Sequence, residues 1–319
     1  MATSKPTPAA AAAYRANFHG DGGSLFGIMI VNLLLTIVTL GIYSFWAKVK
    51  VRRFLYSQTE FAGDRFAYHG TGKELFIGAL KALGVFVGFY VILGLVGYFI
   101  SQGLALALIY VGIAALIPLA LYGSMRYAMS RTSWRGIHFS FRGGLGECYK
   151  TFLGGIFLTI VTLGVYMPFF QANMRRYWTN HTYFGDTKFA YDGKGKDLVW
   201  HFLLAVLLTI PTLYLYWVWY GARKIRYDWS HTSFATGRFS STVSGGAILW
   251  LVVSNLLLLV VTLGFAIPWI MIRNIRFMCE RTSLSGPIAW STIVRDPRAP
   301  KVGATGEGLA DGLDVGVAV

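Results

Sequence analysis

Long apolar segments separated by short polar ones make up most of the chain. One stretch, residues 83–125, is 43 residues long and carries no formal charge. It could supply two membrane-spanning helices of about 20 residues each. Four shorter apolar segments contain Gly or Pro near the middle, which predicts a broken or bent helix in each. These four segments are residues 24–46, 148–170, 198–220 and 247–272.

Short segments in which aromatic residues alternate with small or polar ones follow the apolar segments. Residues 59–63 and 65–68 show this alternation around a Gly turn, and residues 132–136 and 138–141 show it again. A period of two around such a turn is typical of a β-hairpin. The sequence therefore predicts short β-hairpin connectors that are polar enough to lie outside the hydrocarbon of a membrane.

One pair of residues recurs five times and defines an internal repeat. An Arg is followed six residues later by a Thr, and the threonines are 73, 50, 50 and 50 residues apart. The pairs are Arg53/Thr59, Arg126/Thr132, Arg176/Thr182, Arg226/Thr232 and Arg276/Thr282. We predict a single membrane domain over residues 14–292, between a disordered leader (1–13) and a disordered tail (293–319). Its five repeats would span about residues 14–65, 66–138, 139–188, 189–238 and 239–292.

Composition indicates which environment these segments occupy. Of the 319 residues, 55% are hydrophobic and only 13% are charged, whereas a soluble domain carries about 25% charged residues. The net charge is +15, and basic residues directly follow apolar segments, which favours anionic membrane lipids over nucleic acid as partners. We therefore predict an α-helical polytopic membrane protein of five tandem helical repeats, with broken or re-entrant helices and short β-hairpin connectors.

Two membrane topologies are compatible with this pattern. If every apolar segment formed continuous spans, successive basic segments would lie on opposite sides of the membrane, against the cytoplasmic preference of basic loops. If the four shorter segments are hairpins broken at their centres, all basic segments lie in the cytoplasm. The half-helices would then have to be buried in protein or line a cavity. The hairpin topology is favoured, and six simple spans remain the alternative.

Five arginines are the first candidate site. Arg53, Arg126, Arg176, Arg226 and Arg276 hold equivalent positions in the repeats. Repeats packed around an axis would arrange them in a ring that binds anions or anionic lipid headgroups. The structural alternative is the commoner one: an Arg at a helix C-terminus satisfies the last carbonyls and the negative end of the helix dipole.

Polar residues and helix breaks inside the apolar segments are the second candidate. Such residues either bond neighbouring helices or line a polar path, as the broken helices of transporters do. The candidates are Asn32, Thr39, Gly41, Thr162, Gly164, Pro211, Asn255, Thr262 and Gly264. The sequence shows no nucleophile constellation, paired-carboxylate site or metal-ligand spacing, so we expect neither an enzyme nor a bound cofactor or metal.

Two motifs carry a resemblance to a known family. They are FAYHGTGKELF at residues 66–76 and NLLLTIVTLGIYSFWAKVKVRR at residues 32–53. Both resemble the YjgN-like family of bacterial inner-membrane proteins, a domain of unknown function. The resemblance implies a multi-pass protein of the bacterial inner membrane and brings no catalytic or substrate-binding residues with it.

The sequence supports two functional hypotheses. The first is a channel or transporter type of membrane protein for small anionic solutes, with its path along the helix breaks and its mouth at the arginines. The alternative is a non-transporting scaffold that binds anionic lipids or a cytoplasmic partner. A homo-oligomer is compatible with either hypothesis.

Overall fold

The computed structural model describes residues 13–296 together with Leu309 and Leu313. The predicted leader therefore lies, except for Ala13, outside the described residues, as does most of the predicted tail. The strands are β1 (Ala13–Phe18), β2 (Thr59–Phe61), β3 (Asp64–Tyr68), β4 (Thr132–Trp134), β5 (Ile137–Phe141), β6 (Thr182–Phe184), β7 (Thr187–Tyr191), β8 (Thr232–Phe234), β9 (Gly237–Ser241) and β10 (Thr282–Ser285). The helices are α1 (Gly22–Val38), α2 (Ser44–Gln58), α3 (Gly72–Phe99), α4 (Gln102–Arg131), α5 (Leu145–Val161), α6 (Met167–Asn180), α7 (Lys196–Leu207), α8 (Tyr216–Ser230), α9 (Gly245–Val261) and α10 (Ile267–Arg281), with a short 3-10 helix at Trp290–Thr292.

The strands close into one antiparallel barrel. Their order around it is β1, β10, β9, β8, β7, β6, β5, β4, β3 and β2. Strands of successive hairpins pair with each other: Phe66 of β3 lies opposite Trp134 of β4, and Ala13 of β1 lies opposite Ser285 of β10. A hairpin alone is marginally stable and exposes unpaired strand edges, whereas closure removes every edge.

The predicted fold class is wrong. The sequence predicted an α-helical polytopic membrane protein of tandem helical repeats in which β-hairpins served only as connectors. Instead, the strands form a closed ten-stranded barrel. Among the described residues only α3 and α4 are long and apolar enough to cross a membrane. The prediction failed because each hairpin was considered by itself, although its second edge pairs with a hairpin far away in sequence.

Each shorter apolar segment forms two helices joined by a tight turn, and none is one continuous helix. In the first segment the turn contains Leu40 and Gly41 with φ of 49° and 93°. The left-handed region costs a residue with a Cβ about 1 kcal/mol and is easy for Gly. Thr39 holds the turn, because its Oγ1 donates to the Leu35 carbonyl at 2.7 Å and accepts from the Tyr43 N–H at 2.9 Å.

The helices form a ring below the barrel. Each helix contacts the next one along the chain, and α10 contacts α1. The second helix of each pair leads directly into a strand, so one end of the barrel faces the interior of the ring. Helices α3 and α4 have 28 and 30 residues, against 17 and 15 for α1 and α2, and they extend beyond the other pairs.

Residues 286–296, which we call the plug, close the barrel end that lies away from the helices. Ile288 and Ile293 are buried in the barrel core, and the Trp290 ring lies 4.9 Å from that of Trp134. The Thr236 hydroxyl donates to the Pro287 carbonyl at 2.7 Å, which ties the plug to the turn between β8 and β9. The plug continues past residue 292, where the predicted membrane domain ends.

Candidate functional site

Two cavities lie along the barrel axis and share part of their lining. The first, the barrel cavity, has a volume of about 360 Å³ and is lined almost wholly by aromatic and aliphatic side chains. The second, which we call the vestibule, has a volume of about 610 Å³ and lies below the barrel among α4, α6 and α8. Phe139, Phe189, Phe239 and Trp229 line both cavities. The two cavities are therefore neighbours that meet at these rings.

The aromatic lining of the barrel follows from strand alternation, because every second residue of a strand points inward. At the middle of β3, β5, β7 and β9 the inward residue is a Phe, and at the equivalent position of β1 it is Ala16. The four phenylalanines are Phe66, Phe139, Phe189 and Phe239. Each of these pairs with an inward residue of the neighbouring strand; Phe66, for example, lies opposite Trp134, and Ala16 lies opposite Phe61. The barrel core is thus a stack of aromatic rings. At the level of Phe66 and Phe139, β1 contributes only the Ala16 methyl group, whereas its Tyr14 ring packs against Phe61 and Trp290 nearer the plug.

The vestibule carries charge on one wall. Its polar lining consists of Gln171, Arg175, Thr179, Thr182, Lys224 and Thr232. The buried Asp228 carboxylate accepts from Lys224 Nζ at 2.8 Å and from the Tyr191 hydroxyl at 2.8 Å. Burial, and then the Asp228 charge, raise the pKa of Tyr191, so this hydroxyl stays protonated and acts as the donor. Two cations, Arg175 and Lys224, lie within 4 Å of this carboxylate, so they outnumber it among the described residues here.

Arg175 is incompletely bonded. Its Nε lies 3.9 Å from Asp228 Oδ2, too far for a hydrogen bond, and this buried nitrogen has no hydrogen-bond partner among the residues that the structure describes. Its guanidinium also lies 5.7 Å from the centre of the Trp229 ring. One helical turn earlier, Gln171 Oε1 is buried without a hydrogen-bond partner. Buried polar atoms are normally satisfied, so these two atoms indicate a place where a ligand or water binds.

The five predicted arginines lie elsewhere. Four of them, Arg53, Arg176, Arg226 and Arg276, each donate to a backbone carbonyl in the turn that precedes the first helix of the next pair. None of these four lines the vestibule or the barrel cavity. The acceptors are Gly70 at 3.3 Å, Gly193 at 2.7 Å, Val243 and Gly20 at 3.2 Å. Arg126 instead donates to the Tyr122 hydroxyl at 3.3 Å. The first four contacts link one helix pair to the next, whereas the Arg126 contact stays within α4.

The predicted path residues also lie away from the axis. Thr39, Gly41, Thr162, Gly164, Pro211, Thr262 and Gly264 are in or beside the turns between paired helices. Asn32 Nδ2 donates to the Ala47 carbonyl at 3.5 Å, and Asn255 Nδ2 donates to Asn274 Oδ1 at 2.8 Å. Both bonds join the two helices of a pair. None of these residues lines the vestibule or the barrel cavity.

Sequence reasoning missed Arg175, Lys224 and Asp228. A signal for the last two was present, since Lys224 and Asp228 are spaced i,i+4 on one helix face in a chain poor in acidic residues. Arg175 carries no such signal, because it adjoins the repeated Arg176 and does not itself recur in every repeat. Ala16 could also have been noticed, because it alone interrupts the aromatic series when the repeats are aligned.

The surface of the two long helices supports a membrane protein. Within the apolar windows of α3 and α4 only 6% and 11% of the residues are buried inside the protein. A core helix of a soluble protein would be mostly buried, and an exposed apolar patch of this extent marks an interaction surface. Leu163, at a turn between paired helices, is 95% exposed as well.

Comparison with known proteins identifies relatives with an inner-membrane name. "Inner membrane protein YjgN" of Salmonella typhimurium strain LT2 is 40% identical over 125 residues, which are 39% of this chain and 30% of that protein. Proteins of the same name from Escherichia coli O157:H7 and strain K12 are 37% and 38% identical over 45% of the chain and 35% of their own length. The chain thus matches about a third of the length of these relatives. No solved structure matches it.

A family model covers nearly all of the described chain. It matches residues 13–218 and 204–312 and is described as "Bacterial protein of unknown function (DUF898)". The two matched ranges include every strand of the barrel and every helix of the ring described above. The resemblance inferred from the motifs at residues 32–53 and 66–76 is confirmed, and the chain belongs to this YjgN-like, DUF898 family.

Proposed function

We propose that the chain is an integral protein of the bacterial inner membrane, of channel or transporter type, that takes small anionic solutes into the vestibule. The names of its relatives and the exposed apolar surfaces of α3 and α4 support the membrane location. The observation that carries the anion proposal is the charged vestibule wall. There, Arg175 and Lys224 outnumber the single carboxylate of Asp228.

The plug favours a transporter over a permanently open channel. Trp290, Ile288 and Ile293 fill the barrel end opposite the vestibule, so an anion that enters the vestibule meets a closed barrel. A site that is open on one side and closed on the other is what alternating access requires. Displacement of the plug or of the neighbouring rings would be the step that releases the solute.

Uptake of chloride and acetate into proteoliposomes tests the proposal. Arg175→Gln and Lys224→Gln each remove one vestibule charge, and loss of a charged hydrogen bond should lower uptake about tenfold. Lys188→Gln is the matched control, because Lys188 is an exposed residue on the outside of β7. Uptake no faster than in protein-free liposomes, or equal uptake by all variants, would refute the proposal.

A groove between α5 and α6 favours the second candidate function, a scaffold that binds anionic lipids. The groove has a volume of about 400 Å³ and is lined by Lys150, Asn173 and Arg176, and also by Glu147, whose carboxylate lies 3.4 Å from His181 Nε2. Two basic side chains and an amide beside apolar helices suit a phosphate headgroup. Phospholipid retained on the purified protein should then fall in Lys150→Gln and stay unchanged in Lys188→Gln. Retained lipid combined with absent anion uptake would favour this candidate.

A further inference from the structure

One ring is missing from an otherwise complete aromatic layer beside the barrel cavity. Ala16 occupies on β1 the inward position that Phe66, Phe139, Phe189 and Phe239 occupy on the other alternate strands, and it lines the cavity. Small barrels normally fill their interior with side chains. Here an apolar space of about 360 Å³ remains, within the range of about 300–1,000 Å³ typical of ligand pockets.

The plug and the vestibule lie at opposite ends of this space. At the far end Trp290 packs against Trp134 and Phe61, with ring centres 4.9 Å and 6.0 Å apart. At the near end the cavity adjoins the vestibule at the rings of Phe189 and Phe239. A molecule in the barrel cavity would therefore have an apolar dead end at one extremity and the vestibule at the other.

The chemistry changes sharply along this axis. The vestibule offers Arg175, whose buried Nε has no hydrogen-bond partner, Lys224, and the buried Gln171 Oε1. The barrel cavity beyond it offers almost no polar atoms. A ligand that satisfies both regions needs an anionic head and an apolar tail, at opposite ends of a slender molecule.

We propose that the two cavities together bind a single-chain anionic amphiphile, such as a medium-chain carboxylate. Its carboxylate would bind Arg175 and Lys224 from the vestibule, on the side away from Asp228 Oδ2, which already lies 3.9 Å from Arg175 Nε and 2.8 Å from Lys224 Nζ. Its alkyl chain would pass the rings of Phe189 and Phe239 into the space beside Ala16. This inference rests on the proposed anion-binding function and names the class of anion.

Neither half of such a ligand fits by itself. An anion as small as acetate leaves the apolar dead end unfilled, and a neutral alkyl chain leaves the buried Arg175 nitrogen without a partner. Burial of each methylene in an apolar site strengthens binding about fourfold. Affinity should therefore rise steeply with chain length until the barrel cavity is full.

Equilibrium binding to the full chain in nanodiscs of zwitterionic lipid tests the proposal, with decanoate, acetate and decanol as probes. Ala16→Phe completes the aromatic layer and should weaken decanoate binding more than tenfold while leaving acetate unchanged. Ala13→Phe, at an exposed position of the same strand, is the matched control and should bind decanoate like the original chain. All variants are compared in the same nanodiscs, so partition of decanoate into lipid cancels.

The charged end is tested separately. Arg175→Gln should weaken decanoate and acetate about tenfold each and leave decanol unchanged. If Ala16→Phe does not fold, judged by its unfolding temperature, Ala16→Leu replaces it and should weaken decanoate at least fourfold.

The outcomes separate this inference from the proposed function. Equal decanoate binding by Ala16→Phe and the original chain would overturn the amphiphile proposal. If acetate binding that depends on Arg175 persisted in that case, the anion-binding function would stand. If neither anion bound, both would fail.

Discussion

Removal of one ring from the barrel core should strongly destabilise the protein, because the core rings support one another. Phe184 of β6 is only 3% exposed, and its ring lies 5.4 Å from Trp134 and 4.9 Å from Phe139. A Phe side chain buries about 150–200 Å², which at about 25 cal/mol per Å² is worth about 4 kcal/mol. Phe184→Ala should therefore cost about 4 kcal/mol, in the range of about 3–5 kcal/mol typical of such changes.

The assay is thermal unfolding of the purified protein in detergent micelles, followed by tryptophan fluorescence. Trp134 packs beside Phe184 and reports on the barrel itself. At about 2–4 °C per kcal/mol for a large domain, Phe184→Ala should lower the unfolding temperature by roughly 10 °C. Phe184→Leu keeps most of the volume and loses the ring pairs, worth about 0.5–1.5 kcal/mol each, so its shift should be about half as large.

The matched control is Phe157→Ala on α5. Phe157 is 65% exposed on the apolar outer surface, so the same truncation there should change the unfolding temperature by no more than about 1–2 °C. Equal shifts for Phe157→Ala and Phe184→Ala would refute the reasoning, because they would mean that the barrel core contributes no more than the outer surface does.

Three further positions test the junctions and the barrel exterior. Arg176→Gln removes the hydrogen bond to the Gly193 carbonyl and should cost about 1.5 kcal/mol of stability, without altering anion binding in the vestibule. Reduced anion affinity at unchanged stability would show that Arg176 does more than link two helix pairs. Burial, and then nearby basic side chains, lower the pKa of His138 below 6.5. The free energy of unfolding should therefore be full above pH 6.5 and fall as the pH drops through the folded pKa. His138→Gln should flatten this loss in unfolding curves recorded from pH 8 to pH 5, and an equal loss in the variant would refute the assignment. An added Cβ at Gly195 would lie 2.4 Å from a backbone atom of α6, whereas one at Gly154 would meet nothing within 4 Å. Gly195→Ala should therefore cost about 3 kcal/mol of stability, whereas Gly154→Ala should be neutral or stabilising in the same unfolding assay. Equal effects of the two substitutions would contradict the packing at Gly195.

The sequence predicted the strands and helix breaks more reliably than their assembly. The alternation around residues 59–68 and 132–141 predicted hairpins, and the structure has β2–β3 and β4–β5 there. Alternation is a local property, and it indicates which face of a strand is apolar. It does not identify which other strand covers that face or pairs with the free edge. Closure of the barrel therefore could not be read from any single repeat.

The candidate site shows the same division between local and global information. The repeated arginines were conspicuous in sequence, but four of the five bond a backbone carbonyl of the next turn, as Arg176 bonds that of Gly193. Arg175 and Lys224 do not recur as a series, and only the three-dimensional arrangement of α6 and α8 brings them to one wall. A residue that recurs in every repeat indicates how the repeats join. A departure from it, such as Ala16, is the better guide to a specific binding site.

Closure of the barrel between its first and last strands has a consequence for the order in which the chain can fold. Arg276 and Gly20, which meet beside this closure, are 256 positions apart, so β1 must wait for β10 to be synthesised. Until then β1 and β9 each present an unpaired edge that another chain could bind, and contacts between such distant residues form slowly. Docking of β10, followed by insertion of Trp290 into the barrel, is therefore the step that closes the barrel and ends the exposure of both edges.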